Sequence, residues 1–84
     1  MENTLQPEAE IIQIIFDVTG HPIQAIAPDS SFEHDLGMDS LDVITVCCEV
    51  EKKFKIIIAE KDIPAFKTVN ALVLYVVKML HPIE

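Results

Sequence analysis

One apolar spacing occurs twice in this sequence, and it constrains the fold more than any other feature. Val43, Val46, Cys47, Val50 and Phe54 stand at i, i+3, i+4, i+7 and i+11, and Val69, Leu72, Val73, Val76 and Leu80 repeat those intervals. A period near 3.6 puts each set on one stripe of an α-helix, whereas a half-buried strand would alternate at every second residue. Each stripe has to be covered by another apolar face. Ile11, Ile14, Ile15 and Val18 supply one on a further helix that starts between Leu5 and Glu8, with Thr4 as candidate N-cap and Pro7 in its first turn. Gly20 followed by His21-Pro22 stops that helix.

The remaining segments fill in the topology. Residues 21–38 form a long connection containing Pro22, Pro28, Asp29, Ser30, Ser31 and Gly37, with Phe32 and Leu36 as its anchors in the core. A connection of that length in so small a chain is expected to be functional or well packed. Asp39 is placed to cap the second helix, with Asp42 at the third helical position, where a carboxylate suits the helix dipole. Asp62-Ile63-Pro64-Ala65-Phe66 reads as a single short helical turn with Pro64 tolerated in its first turn, and Thr68 caps the last helix, which His81-Pro82 ends. The expected fold is therefore all-α: a four-helix bundle of three principal helices plus one short helix, a single domain over residues 1–84. At 84 residues it can bury one modest core but has little room for a deep catalytic cleft.

Charge narrows the range of partners. The net charge is −8, and residues 1–51 carry eleven carboxylates and no Lys or Arg, while all six lysines fall after them. That asymmetry argues against nucleic acid as a partner and for proteins with basic patches that meet the acidic part. The N-terminal MENTLQPEAE is polar and acidic, unlike a targeting peptide, and the longest apolar run, Leu72 to Val77, is too short to span a bilayer. Cys47 and Cys48 are adjacent on one helix, where their side chains diverge, so neither a disulfide nor a metal pair is expected between them. A reducing cytoplasm follows as the expected location, with a monomer as the expected state.

Chemistry concentrates at Gly37-Met38-Asp39-Ser40-Leu41-Asp42, where one hydroxyl stands in the first turn of the second helix just after a glycine. Unpaired N–H groups and the partial positive charge of the helix end would stabilise a phosphate esterified to Ser40. The effect is worth about 0.3–1 kcal/mol at an exposed site, enough to orient an anion but not to hold one, so the attachment must be covalent. Leu41, Ile44 and Cys48 lie about a third of a turn from the core stripe and form an apolar strip, rimmed by Asp35, Asp42, Glu49 and Glu51. Such a strip fits a docking face for an enzyme carrying a basic and apolar patch.

The octapeptide Asp35-Leu36-Gly37-Met38-Asp39-Ser40-Leu41-Asp42 resembles the attachment motif of the acyl carrier proteins, D-L-G-x-D-S-L-D. The resemblance extends from Ile11 to Leu80, with Phe32, Phe54, Thr68 and Val69 matching the family's anchors. It implies that a phosphopantetheinyl transferase moves phosphopantetheine from coenzyme A onto Ser40, that the arm's thiol carries acyl groups as thioesters, and that the chain catalyses nothing itself. It also implies that Asp39 meets the transferase and its Mg²⁺, and a bridging cation would make a carboxylate beside a phosphodiester intelligible. Acyl-transferring and chain-elongating or tailoring enzymes of fatty acid, polyketide or related lipid biosynthesis are the implied partners. The chain departs from the family at Thr45, where a docking Glu is common, at Lys52-Lys53, where acids usually stand, and at Ile56-Ile57-Ile58-Ala59, which replaces a more polar stretch. These departures point to a specialised carrier or a divergent housekeeping one.

Other readings fit less well. A serine hydrolase would need a strained G-x-S-x-G elbow and a sheet to hold it, and His34 reads as a solvated loop histidine. Asp29, Ser31, Glu33 and Asp35 alternate like calcium ligands, but His34 and Ser40 stand where an EF-hand loop needs Gly and Glu, and no metal is expected. An aminoacyl or peptidyl carrier and a helical interaction module without the arm stay open as alternatives; the Asp on either side of Ser40-Leu41 favours acyl cargo over the first, and the intact octapeptide argues against the second.

Overall fold

The computed structural model describes residues 6–80, a bundle of three α-helices: α1 (Pro7–Thr19), α2 (Ser40–Phe54) and α3 (Val69–Leu80). α1 packs against both of the others. The expected all-α bundle is the one the chain adopts, and its stripes meet in one buried cluster. Ile11, Ile14 and Ile15 come from α1, Val46, Cys47, Val50 and Phe54 from α2, and Val69, Leu72, Val73 and Val76 from α3. Val18, Val43 and Leu80 close its edges, half-buried.

Helix ends follow local chemistry. α1 begins at Pro7 in the N1 position, where the missing N–H costs nothing, with Gln6 as an N-cap whose side chain makes no capping bond. Thr4 lies outside the described residues, as does His81-Pro82. Gly20 turns into the left-handed region (φ 82°) and its N–H returns 2.8 Å to the Phe16 carbonyl, which ends α1 as expected. Asp39 Oδ1 accepts from the Asp42 N–H at 2.9 Å, and Thr68 Oγ1 accepts from the Ala71 N–H at 3.2 Å, so both expected caps form.

The long connection is packed rather than loose. It opens with a 3₁₀ turn over Ile23–Ala25, a second short element beyond the one expected. It then lies along the head of α3: the Phe32 N–H donates to the Lys67 carbonyl at 3.0 Å, the Val69 N–H to Ser30 at 3.1 Å and the Asn70 N–H to Pro28 at 2.8 Å. Phe32 and Leu36 are buried as expected, and Ile26 and Met38 join them.

The expected short helix is a 3₁₀ segment, Glu60–Ala65, that starts two residues earlier than the sequence pattern indicated, so Pro64 falls near its end rather than in its first turn. A 3₁₀ run of this length leaves few intrahelical donors to lose, which is why the proline is accommodated there. The Tyr75 hydroxyl donates to Asp62 at 3.0 Å, and the Tyr75 ring meets Phe66 edge-on, with centroids 5.1 Å apart at 73°. These contacts fasten the segment to α3.

Candidate functional site

Ser40 is the N1 residue of α2 and is exposed. The first backbone bond of that helix is Val43 N–H to the Asp39 carbonyl at 3.1 Å, and Asp39's side chain takes the N–H of Asp42. The N–H groups of Ser40 and Leu41 precede that ladder and face outward from the helix end. Asp39 Oδ2 has no hydrogen-bond partner among the described residues.

Beside Ser40 opens a cleft of about 840 Å³ between the α2 head, the connection and the Glu60–Ala65 segment. Phe32, Met38, Val43, Ile44, Ile63 and Phe66 give it an apolar floor, and Glu33, His34, Glu60 and Lys67 stand among the polar residues that line it. No local pattern in the sequence marks this cleft, which forms between segments far apart in the chain. His34 is exposed, as expected, but it belongs to this lining.

The backbone ahead of Ser40 is tightly specified. Both Asp35 and Leu36 donate their N–H to the Ser31 carbonyl at 3.0 Å, and the Met38 N–H donates to Phe32 at 2.8 Å. Asp35 Oδ2 accepts the Ser31 N–H at 2.7 Å, and Ser31 Oγ accepts the His34 N–H at 3.0 Å. Asp35, expected on the docking rim, therefore spends one carboxylate oxygen closing its own turn.

The strip Leu41, Ile44 and Cys48 is exposed on α2, Leu41 at 68% and Ile44 at 42%. Asp42 lies half-buried at its head, and Glu49 pairs with Lys52 at 3.6 Å on the open surface, where such a pair contributes little. Glu51 is not part of this rim. Its Oε2 accepts the Ile58 N–H at 2.7 Å, and its carbonyl takes the N–H of Lys55, which ends α2 at φ 58°. Glu51 thus folds the Ile56-Ile57-Ile58 stretch back so that Ile58 is buried while Ile57 stays 79% exposed. The two thiols diverge as expected: Cys48 is exposed and Cys47 is buried, its pKa pushed by burial, and less by Cys48 and Glu51, up to about 12.

A helical bundle that offers one free hydroxyl at a helix head, with acids around it and an apolar cleft alongside, has the form of a carrier for a covalently held group. The family model described as a phosphopantetheine attachment site matches residues 9–76. The chain is 35% identical over 69 residues to an acyl carrier protein of Rickettsia bellii, covering 82% of this chain and 80% of that one. It is also 35% identical over 71 residues to the meromycolate extension acyl carrier protein of Mycobacterium leprae, of which it spans 62%. An acyl carrier protein of Onion yellows phytoplasma is 45% identical over 53 residues, 63% of this chain. The chain belongs to the acyl carrier protein family, and it is a carrier of acyl groups on phosphopantetheine.

Proposed function

We propose that Ser40 is the residue to which phosphopantetheine is attached, and that the chain presents acyl groups to enzymes without catalysing a reaction itself. The observation that carries this is the exposed Ser40 at the head of α2, beside the apolar cleft. The residues fit the group: the hydroxyl is open to an incoming enzyme, the N–H groups of Ser40 and Leu41 favour an anion, and the cleft's floor suits an acyl chain better than a polar aminoacyl one. When attached, phosphopantetheine supplies a terminal thiol that holds the acyl group as a thioester. Similarity to carriers that include one named for meromycolate extension supports fatty acid or related lipid synthesis as the setting. The two unpaired thiols suit a reducing compartment such as the cytoplasm.

The test is incubation with coenzyme A and a broad-specificity phosphopantetheinyl transferase. Intact mass should rise by one phosphopantetheine group, and peptide mapping should put the gain on the peptide containing Ser40. A gain on another peptide, or none, would overturn the assignment.

Asp39 acts at the same event. One carboxylate oxygen caps α2 and the other stays available to the transferase's Mg²⁺. Asp39→Asn keeps the capping oxygen and loses the charge, so it should fold normally yet be modified roughly 10- to 100-fold more slowly, the scale on which lost support of a metal site shows. A wild-type rate in that variant would leave Asp39 as a cap alone.

Leu41, Ile44 and Cys48, with Asp35, Asp42 and Glu49, form the face that partner enzymes with basic patches meet. Leu41→Ser removes an exposed apolar anchor, and acyl transfer from the loaded protein should fall about tenfold with circular dichroism unchanged. Undiminished transfer would place docking elsewhere.

A further inference from the structure

One side chain from outside the 31–38 turn reaches the backbone that leads to Ser40. His21 Nε2 lies 2.7 Å from the carbonyl oxygen of Leu36. A carbonyl oxygen only accepts, so the ring carries a proton on Nε2 and donates it. His21 stands on a braced corner: its N–H donates to Thr19 Oγ1 at 3.2 Å, the Thr19 hydroxyl donates to the Ile15 carbonyl at 2.7 Å, and Gly20 closes α1.

The position of that bond matters because of the residue that follows. Gly37 adopts φ 62°, and with no Cβ it accepts either sign of φ at little cost. Turning about that angle swings the Leu36–Gly37 peptide, whose carbonyl is the one His21 holds. The Leu36 and Met38 N–H groups tie the chain on either side of Gly37 to Ser31 and Phe32, and fixing the carbonyl between them completes the hold on one setting of the glycine, from which Met38, Asp39 and Ser40 follow directly.

We propose that His21 is a positioning residue for the modification of Ser40, pinning the Leu36–Gly37 peptide so that Ser40 is presented in one orientation. This rests on the reading of Ser40 as the attachment residue. A carrier that samples several orientations offers its partner only the competent fraction, so the effect falls on apparent affinity rather than on turnover.

The experiment compares initial rates of mass gain with coenzyme A and transferase for the wild type and for His21→Ala, His21→Phe and His21→Gln, at a temperature where circular dichroism shows each folded. The amide nitrogen of Gln lies as many bonds from Cα as Nε2 does, so Gln can restore the donor, whereas Phe fills the space without one. Losing one hydrogen bond should lower the competent fraction by up to about fivefold, so Ala and Phe should lose about two- to fivefold in kcat/KM through a raised KM, and Gln should recover most of it. Should the Ala variant not fold, the Phe and Gln pair carries the comparison. Wild-type rates in Ala or Phe, no recovery by Gln, or a loss confined to kcat would each overturn the inference while leaving Ser40 in place. Absence of any gain on the Ser40 peptide in the wild type would remove both.

Discussion

Replacing Ser40 with alanine should abolish the gain of a phosphopantetheine group completely while shifting stability by less than about 0.5 kcal/mol. Ser40 is exposed at N1, where its side chain makes no hydrogen bond among the described residues, and alanine is a good helix former. Neighbouring hydroxyls are engaged in local hydrogen bonds rather than standing free at a helix head. Ser30 is buried and accepts the Ala27 N–H at 2.9 Å, Ser31 Oγ accepts from His34, and the Thr45 hydroxyl donates to the Leu41 carbonyl at 2.9 Å. Intact mass and a thermal melt on the same samples decide the matter. A residual gain would mean that a second hydroxyl is modified, and a large loss of stability would mean that Ser40 belongs to the packing rather than to the surface.

Phe54→Ala is expected to cost about 3–5 kcal/mol, the range for removing a buried aromatic ring and leaving a cavity. Phe54 is the last residue of α2 and only 5% exposed, and it belongs to the single buried cluster that joins the three helices. Small domains are stable by about 5–15 kcal/mol, so the variant should lose a fifth or more of its margin and melt well below the wild type. Urea or guanidinium denaturation with an unchanged m-value measures it. A cost below about 1 kcal/mol would show that the end of α2 is not part of the common core.

Much of the architecture was legible because it is local. The stripes of α2 and α3, the caps at Asp39 and Thr68 and the stop at Gly20 each depend on residues within a turn or two of one another, and each forms as its spacing indicates. The octapeptide over residues 35–42, which resembles the family's attachment motif, is likewise a contiguous signal. What escaped the reading depends on pairs far apart in the chain. No local pattern announces that Ser31 bridges to Thr68, that His21 reaches Leu36, or that Tyr75 holds Asp62. The cleft could not be read for the same reason, since Phe32, Val43 and Phe66 meet only after the connection has docked on α3. Glu51 was misplaced because helical position alone put it near the acidic rim, whereas its carboxylate is drawn to the N–H of Ile58 beyond the helix end. The short helix shifted because proline position constrains an α-helical turn more strictly than a 3₁₀ one.

The divergence of Cys47 and Cys48 gives the protein a pair of internal reporters one residue apart. Thiolates, not thiols, attack alkylating and disulfide reagents, so the outer sulfur records whether the exposed strip of Leu41, Ile44 and Cys48 is covered. The inner one, kept protonated by its surroundings, becomes available only in molecules whose helices have come apart. Counting labelled sulfurs by mass therefore separates occupancy of the surface from opening of the bundle in the native sequence, with no substitution needed to introduce a reactive group.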